Sequence, residues 1–186
     1  MGEIKYMPAG DRALVVEFGN QIDPAINDKV HALAARIAET RIPGVQEMEK
    51  HTGLDRDEII KIHSSVDYKI YMMGFLPGFV YLGGLDKRIE MPRLKSPRVR
   101  ILPGAVGIGG NQTGVYPLAS PGGWRLMGGT PVDFYDPYRE DPILCKAGEY
   151  IRFVPITIGD YYDIRHMIVK GEYQVEVVEE GDEGCQ

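Results

Sequence analysis

Residues 102–117 read LPGAVGIGGNQTGVYP, and this stretch decides the fold because short apolar runs alternate in it with glycine and proline turns. It predicts strands at 105–108 and 114–117 with a turn at Gly109-Gly110. Comparable strand-length runs lie about ten residues apart on either side of it, at 99–102, 124–127, 132–135 and 150–155. This spacing predicts a mainly β structure, either a closed barrel or a sandwich.

Helix and strand signals surround this β-rich region, and the first 50 residues have a mixed α/β pattern. Asp23 opens a helix that the sequence Arg41-Ile42-Pro43-Gly44 ends, and Asp55 caps a second helix that closes at His63. The other predicted elements are strands at 4–6, 13–17, 66–73 and 173–178, a turn at 8–11 and a helix at 159–170. The chain is therefore expected to combine helices with a mainly β second part, an α+β class.

The composition of the 186 residues excludes several classes of protein. A formal net charge of −6 argues against general nucleic-acid binding, and no apolar run reaches the roughly 20 residues of a membrane span. The first residues lack the apolar segment of a signal peptide, so a cytoplasmic location is expected. Cys145 and Cys185 predict no structural disulfide, and no cluster has zinc spacing, so no metal is expected.

One segment departs from this acidic average. Residues 87–100 hold six basic side chains against one acid, Glu90. Such a patch attracts a small anion or an acidic partner surface, although a solvated loop explains most of its members equally well. Arg93 and Arg98 are the better candidates for ligand contacts, because each follows a Pro-containing pair that limits the freedom lost on binding.

The chain carries no P-loop, no Rossmann fingerprint and no nucleophile elbow. A nucleotide would have to be bound by turn backbones, whose N–H groups can converge on an anion, and by isolated basic side chains. In the glycine-rich stretch, an ordinary hairpin does not require Gln112, Thr113 and Tyr116 together. These three residues are therefore further candidates for substrate or nucleotide contacts.

The remaining candidates are aromatic residues and one histidine. Phe75, Phe79 and Tyr81 surround a Pro-Gly turn, which suits either the wall of a pocket or partner site, or burial in a core. Trp124 is either a core plug or a stacking platform. His63, at a helix end, is a candidate for proton transfer, or else caps the last carbonyls of its helix. The other histidines, His31, His51 and His166, are expected on the surface.

Several of these motifs, in order, resemble a known family. They are Gly74-Phe75-Leu76-Pro77-Gly78-Phe79, Tyr81-Leu82-Gly83-Gly84-Leu85, Met91-Pro92-Arg93, Gly104-Ala105-Val106-Gly107-Ile108-Gly109-Gly110, Gln112-Thr113-Gly114-Val115-Tyr116-Pro117 and Ser120-Pro121-Gly122-Gly123-Trp124. This set is similar to the B-type subunit of bacterial 5-oxoprolinase, a family also called allophanate hydrolase subunit 1 or the KipI-like kinase inhibitors. The resemblance runs from about residue 6 to residue 155.

The resemblance implies a cyclophilin-like β-barrel over residues 62–186, preceded by a small α/β domain over residues 1–61. That first domain is incomplete by comparison with the family, which has several tens of additional residues after the Pro43-Gly44-Val45 turn. We therefore expect residues to be missing and the chain to break between Val45 and Glu49. Gly129 also departs from the family, which often has a basic residue there.

The implied function is that of one component of an ATP-dependent 5-oxoprolinase, a hydrolase that opens the cyclic amide 5-oxo-L-proline to L-glutamate. ATP is then a co-substrate. The partners are a larger cyclophilin-like-barrel subunit of the C type and a third subunit of the A type, and activity is expected only in the complex. The first alternative is an inhibitor of a sensor histidine kinase, which requires Phe79 and Tyr81 to face solvent. The second is a hydrolase subunit of the allophanate or urea amidolyase type.

Overall fold

The first two strands of the chain form a hairpin. A computed structural model describes residues 5–9, 13–17 and 43–177. In it, β1 (Lys5–Ala9) pairs antiparallel with β2 (Ala13–Glu17), Lys5 lying opposite Glu17. Both predicted strands are therefore confirmed, although part of the predicted turn at 8–11 belongs to β1. The helix predicted from Asp23 lies outside the described residues.

Two helices follow, and the first of them was not predicted. α1 (Pro43–Thr52) begins at the proline that the sequence pattern assigned to a helix end. Proline is equally suited to the first position of a helix, where no N–H is needed. Val45 and Glu49, between which residues were expected to be missing, both lie inside α1, and the N–H of Gly53 donates to the Glu49 carbonyl at 2.9 Å. That residues are missing there stays a prediction.

α2 (Arg56–Ser64) confirms the second predicted helix. The Asp55 side chain accepts a hydrogen bond from the backbone N–H of Glu58 at 2.8 Å, as an N-cap does. The domain boundary expected between residues 61 and 62 falls inside this helix. Ile59 and Ile62, on either side of it, are both buried in one core, and the division at that point stays a prediction.

The β-rich part contains a six-stranded antiparallel sheet and a smaller two-stranded one. The large sheet has the order β10 (Tyr150–Arg152), β3 (Asp67–Met73), β4 (Val80–Gly83), β7 (Gln112–Val115), β6 (Ala105–Gly109) and β9 (Arg125–Gly129). The small sheet pairs β5 (Arg98–Ile101) with β8 (Ser120–Gly122). A short 3₁₀ turn (Lys87–Ile89) precedes β5, and α3 (Ile158–Lys170) follows β10. This mainly antiparallel α+β architecture confirms the expected class.

Some predicted strands differ from those observed. Residues 132–135 form no strand, and only Tyr135 makes an isolated bridge, to Ile143. The chain here folds back on itself in a loop, in which the N–H of Leu144 donates to the Phe134 carbonyl and that of Asp136 to the Pro142 carbonyl. The strand predicted at 173–178 is absent as far as residue 177, where the description ends. Conversely, β8 lies in a stretch whose sequence, Ser120-Pro121-Gly122-Gly123, is typical of a turn, and β4 lies where no strand was predicted.

One face of the large sheet packs against the helices. Because side chains alternate along a strand, Leu82 of β4, Ile108 of β6 and Val115 of β7 point to the same side and are fully buried. α1 and α2 cover this side with apolar residues that belong to the same cluster, among them Val45, Met48, Ile59 and Ile62. This is the main core of the molecule.

The opposite face is covered by one indole. Trp124 lies over β6 and β7 at positions where these strands have glycine residues. It is 4% exposed and packs with Phe79, Ile101 and Tyr116. A Cβ added at Gly109 would overlap the Trp124 ring, and one added at Gly114 would stand 3.1 Å from it. Trp124 is therefore the core plug that was one of its two expected roles, and the absence of side chains at these glycines makes room for it.

Replacing Gly109 with alanine should displace the indole. Overpacking of this kind costs about 1–3 kcal/mol, so we expect the free energy of unfolding in urea to fall by that amount, with a shift in Trp124 emission. Gly128→Ala is the matched control, since a Cβ there meets nothing within 4 Å. Equal stability of the two variants would contradict the packing described.

Candidate functional site

Two arginines meet at Trp124. The guanidinium carbon of Arg93 lies 5.8 Å from the centroid of the Trp124 ring, a cation–π arrangement. Arg98 approaches the same residue from β5, and its Nη1 donates to the Trp124 carbonyl at 2.8 Å. Arg93 is exposed and Arg98 is half-buried. The two arginines chosen from the basic segment are thus brought together on one residue, although Arg98 has a structural bond there.

An aromatic cluster forms the floor beside these charges. Phe79 is buried at its centre, with ring centroids 5.2 Å from Tyr116, 5.5 Å from Trp124 and 4.9 Å from Tyr81. Burial raises the pKa of Tyr116, opposed by a hydrogen bond to the Trp124 backbone and by the charges of Arg93 and Arg98. Its phenol therefore remains protonated at neutral pH. We call this set of rings and the two arginines the aromatic site.

Phe75 stands at the edge of the aromatic site in an unusual backbone conformation. Its φ is +69°, the only positive value among the non-glycine residues described. The N–H of Leu76 donates to the carbonyl of Gly74 at 2.8 Å, which closes a tight turn around Phe75. The ring is 62% exposed and meets Phe79 edge-on at 5.6 Å. Of the two expected environments for Phe75, the structure shows the exposed one, while Phe79 is buried and Tyr81 is half-buried.

An open groove of about 320 Å³ includes residues that adjoin Arg93 and Trp124 in the chain. It is lined by charged residues of α1 and by the chain on either side of the site: Glu47, Lys50, His51, Met91, Pro92 and Arg125. Arg125 forms an ion pair with Glu47 and donates through Nε to the Pro92 carbonyl at 3.2 Å. None of these residues was a sequence candidate. Arg125 adjoins Trp124 in the chain, but Glu47 is 78 positions away from it and no local pattern connects them.

His63 is separate from both features, because it lies in the main core. It is 3% exposed, and its Nε2 is 2.8 Å from the hydroxyl of Thr113. That hydroxyl donates to the Gly107 carbonyl at 3.1 Å, so its lone pair accepts the proton on Nε2. The side chain bonds to β7 instead of capping its own helix, whose Ser65 performs that role.

The surroundings of His63 oppose its charging. Its ring stacks near Tyr68 and Phe153, with centroids 5.2 and 4.7 Å away. Burial lowers the pKa of His63 to about 4. The imidazole is therefore neutral at physiological pH and is enclosed by apolar rings. Of the other candidates, Thr113 belongs with His63 and not with the aromatic site, and Gln112 is half-buried at the start of β7.

His63 should make stability pH-dependent. Its pKa is lower in the folded chain than in the unfolded one, so the unfolded state binds more protons and stability falls as pH drops from 6.5 towards 4. We expect a loss of about 2 kcal/mol between pH 7 and pH 5 in urea titrations. His63→Gln should lose this dependence, and His51→Gln, at an exposed site, should keep it. A dependence that survives in His63→Gln would contradict the assignment.

Comparison with known proteins identifies relatives of this chain. Residues 4–50 and 45–145 match the family described as carboxyltransferase domain, subdomain C and D. The two matched segments overlap at residues 45–50, within α1. Within the described residues, no helix is long and apolar enough to cross a membrane.

Two relatives are named as the B-type subunit of 5-oxoprolinase. The one from Escherichia coli O157:H7 is 48% identical over 117 residues, which are 63% of this chain and 54% of that protein. The one from Bacillus subtilis is 48% identical over 120 residues, 64% of this chain and 50% of that protein. The chain thus spans about half the length of the curated relatives it matches.

A solved structure matches most of the fold. It is a conserved uncharacterized protein from Pyrococcus horikoshii, 33% identical, with a TM-score of 0.62. The match covers 84% of this chain and all of that one. Together with the matched segments, this likeness shows that the chain belongs to the carboxyltransferase-domain family, subdomains C and D.

Proposed function

We propose that this chain is the B-type component of an ATP-dependent 5-oxoprolinase, acting in the cytoplasm with partner subunits to cleave 5-oxo-L-proline to L-glutamate. The observation that carries the proposal is the likeness to proteins named as the B-type subunit of 5-oxoprolinase. The aromatic site is compatible with it, since positive charge stands beside an apolar floor there. A small ring that bears a carboxylate needs both features.

The reaction explains why ATP is the expected co-substrate. The lactam is an unactivated amide, and phosphorylation of its oxygen would create a better electrophile for water. In this chain, Arg93 and Arg98 would attract the carboxylate or phosphate oxygens, and the neutral Tyr116 phenol would complete the floor. His63 has no part in this proposal, because its ring is buried and hydrogen-bonded to Thr113.

The aromatic site is open on one side, which suits a site completed by another protein chain. Arg93 and Phe75 are exposed at its rim, and Phe75 is held in a costly conformation of about 1–3 kcal/mol. Exposed aromatic and arginine side chains are typical anchors of protein interfaces. We propose that a larger subunit of the C type covers this rim and that a third subunit of the A type completes the enzyme.

Of the two alternative functions, the kinase inhibitor has less support in the structure. A kinase inhibitor was expected to present Phe79 and Tyr81 to solvent, whereas Phe79 is 2% exposed beneath Phe75. A hydrolase of the allophanate type would use the same aromatic site for a different small amide. No contact within the aromatic site favours that substrate over 5-oxo-L-proline.

Reconstitution tests the proposal directly. The chain is combined with the A-type and C-type subunits from the same source, and glutamate formed from 5-oxo-L-proline is measured with and without ATP. We expect glutamate formation to depend on both ATP and this chain. Unchanged activity when this chain is left out would overturn the proposed function.

Arg93→Ala should weaken the reconstituted enzyme. Loss of a charge-assisted contact costs about 1.5–3 kcal/mol, which corresponds to a decrease in kcat/KM of about 10- to 100-fold. Arg56→Ala, an exposed arginine at the start of α2, is the matched control and should retain activity. Equal kcat/KM values for the two variants would show that Arg93 makes no contact with the substrate. The requirement of glutamate formation for this chain is tested separately, by the reconstitution.

A further inference from the structure

Both peptide groups of Arg93 are held by the residues that flank the indole in the chain. On the amino side, the carbonyl of Pro92 accepts a hydrogen bond from Nε of Arg125 at 3.2 Å. On the carboxyl side, the N–H of Leu94 donates to the carbonyl of Gly123 at 2.7 Å. The backbone of Arg93 is therefore fixed on both sides against the residue whose ring its guanidinium covers.

The guanidinium of Arg125 is itself oriented by a carboxylate. Its Nη1 forms an ion pair with Glu47 of α1, so one planar group joins a carboxylate to a backbone carbonyl. The Arg125 side chain is 19% exposed and that of Glu47 is 43% exposed. Ion pairs with this much exposure contribute little to stability, so the main consequence of this one is the direction in which Nε points. A lysine has a single ammonium group on a flexible stem and would not serve both acceptors.

Arg93 and Arg125 carry the same charge but use it differently. The charge of Arg125 is balanced by Glu47. Arg93 is exposed and has no ion pair within the described residues, and its guanidinium carbon lies 5.8 Å from the centroid of the Trp124 ring. An anionic ligand at the aromatic site therefore meets the charge of Arg93, while the geometry of Arg125 is directed at the protein backbone.

We propose that Arg125, oriented by Glu47, is a positioning residue that holds Arg93 over the Trp124 ring for the oxygens of an anionic ligand. Residues 92–97 lie in neither a helix nor a strand, so the order of this segment depends on such bonds. A ligand that binds a mobile arginine has to offset the conformational entropy which a fixed arginine has already lost on folding. The inference rests on the proposed function only for the identity of the ligand, 5-oxo-L-proline.

The single tryptophan reports the position of Arg93 without any reaction. In proton–nitrogen correlation spectra of the full chain, Trp124 gives the only indole N–H signal, and Arg93→Ala should shift it. Arg125→Lys keeps the charge but loses the planar fork, so it should shift the signal in the same direction by part of that amount. Added to Arg93→Ala, it should cause little further shift, because the residue that it positions is gone. Equal shifts in the two backgrounds would overturn the proposal, since Arg125 would then act on the indole directly.

Arg165→Lys is the matched control. Arg165 likewise joins a carboxylate, that of Asp133, to the carbonyl of a proline, Pro131. Neither of these contacts involves residues 92–97, so the Trp124 signal should stay in place. A shift as large as that of Arg125→Lys would contradict the proposal, because any loss of an arginine bond would then move the indole.

Glu47→Gln gives a second and milder route to the same change. The carboxamide keeps the shape of the side chain but removes the charge that orients Arg125. Circular dichroism checks that each variant remains folded. We expect the Trp124 signal to move in the direction seen for Arg125→Lys. No movement in either variant would overturn the proposal.

Kinetics of the reconstituted enzyme separate this inference from the proposed function. Arg125→Lys should raise the KM for 5-oxo-L-proline about two- to tenfold and leave kcat unchanged, because Arg93 binds the carboxylate equally in the ground state and the transition state. In the Arg93→Ala background it should have no such effect. An unchanged KM would overturn the role in ligand binding. If glutamate formation does not require this chain, the proposed function fails, and the indole signal alone decides whether Arg125 positions Arg93.

Discussion

The contact of the Trp124 indole with the glycine backbone of two strands positions the residues of the aromatic site. Trp124 covers β6 and β7 where Gly109 and Gly114 lack side chains, so the ring lies directly on the strands. A Cβ at Gly109 would occupy the same space, and the indole would have to leave. Because the ring is fixed, its face receives Arg93 and its carbonyl receives Arg98. Without this contact the two arginines would have no common attachment.

The same strands serve different purposes on their two faces. On one face, β-branched and leucine side chains pack against α1 and α2 and close the core. On the other face, glycine replaces them and allows a small aromatic cluster to form. The pleat of the strands enforces this separation, since neighbouring residues point in opposite directions. Thr113 and Tyr116, three residues apart, consequently have different partners: Thr113 bonds His63 in the main core, and Tyr116 joins the aromatic site.

Part of the candidate site could be predicted from local pattern. Arg93 and Arg98 follow prolines in a basic segment, and they do meet near the aromatic rings. Prediction was less effective for the groove, because Glu47 and Arg125 come from distant parts of the chain and meet only after α1 packs near β9. For His63, position at a helix end suggested proton transfer or capping. The packing of α2 against the sheet buries the imidazole instead. Burial lowers its pKa, so the ring stays neutral.

By itself, the sequence determined the helices with clear caps, most of the strands and the clustering of positive charge. These features depend on neighbouring residues: Asp55 caps α2 by accepting from Glu58, and glycine or proline ends each short apolar run. Only the tertiary structure decided that Pro43 begins a helix, that Phe79 is buried while Phe75 is exposed, and that His63 is neutral. Each of these outcomes depends on which surfaces meet across long sequence separations, and the free energy of burial belongs to those contacts and not to the local pattern.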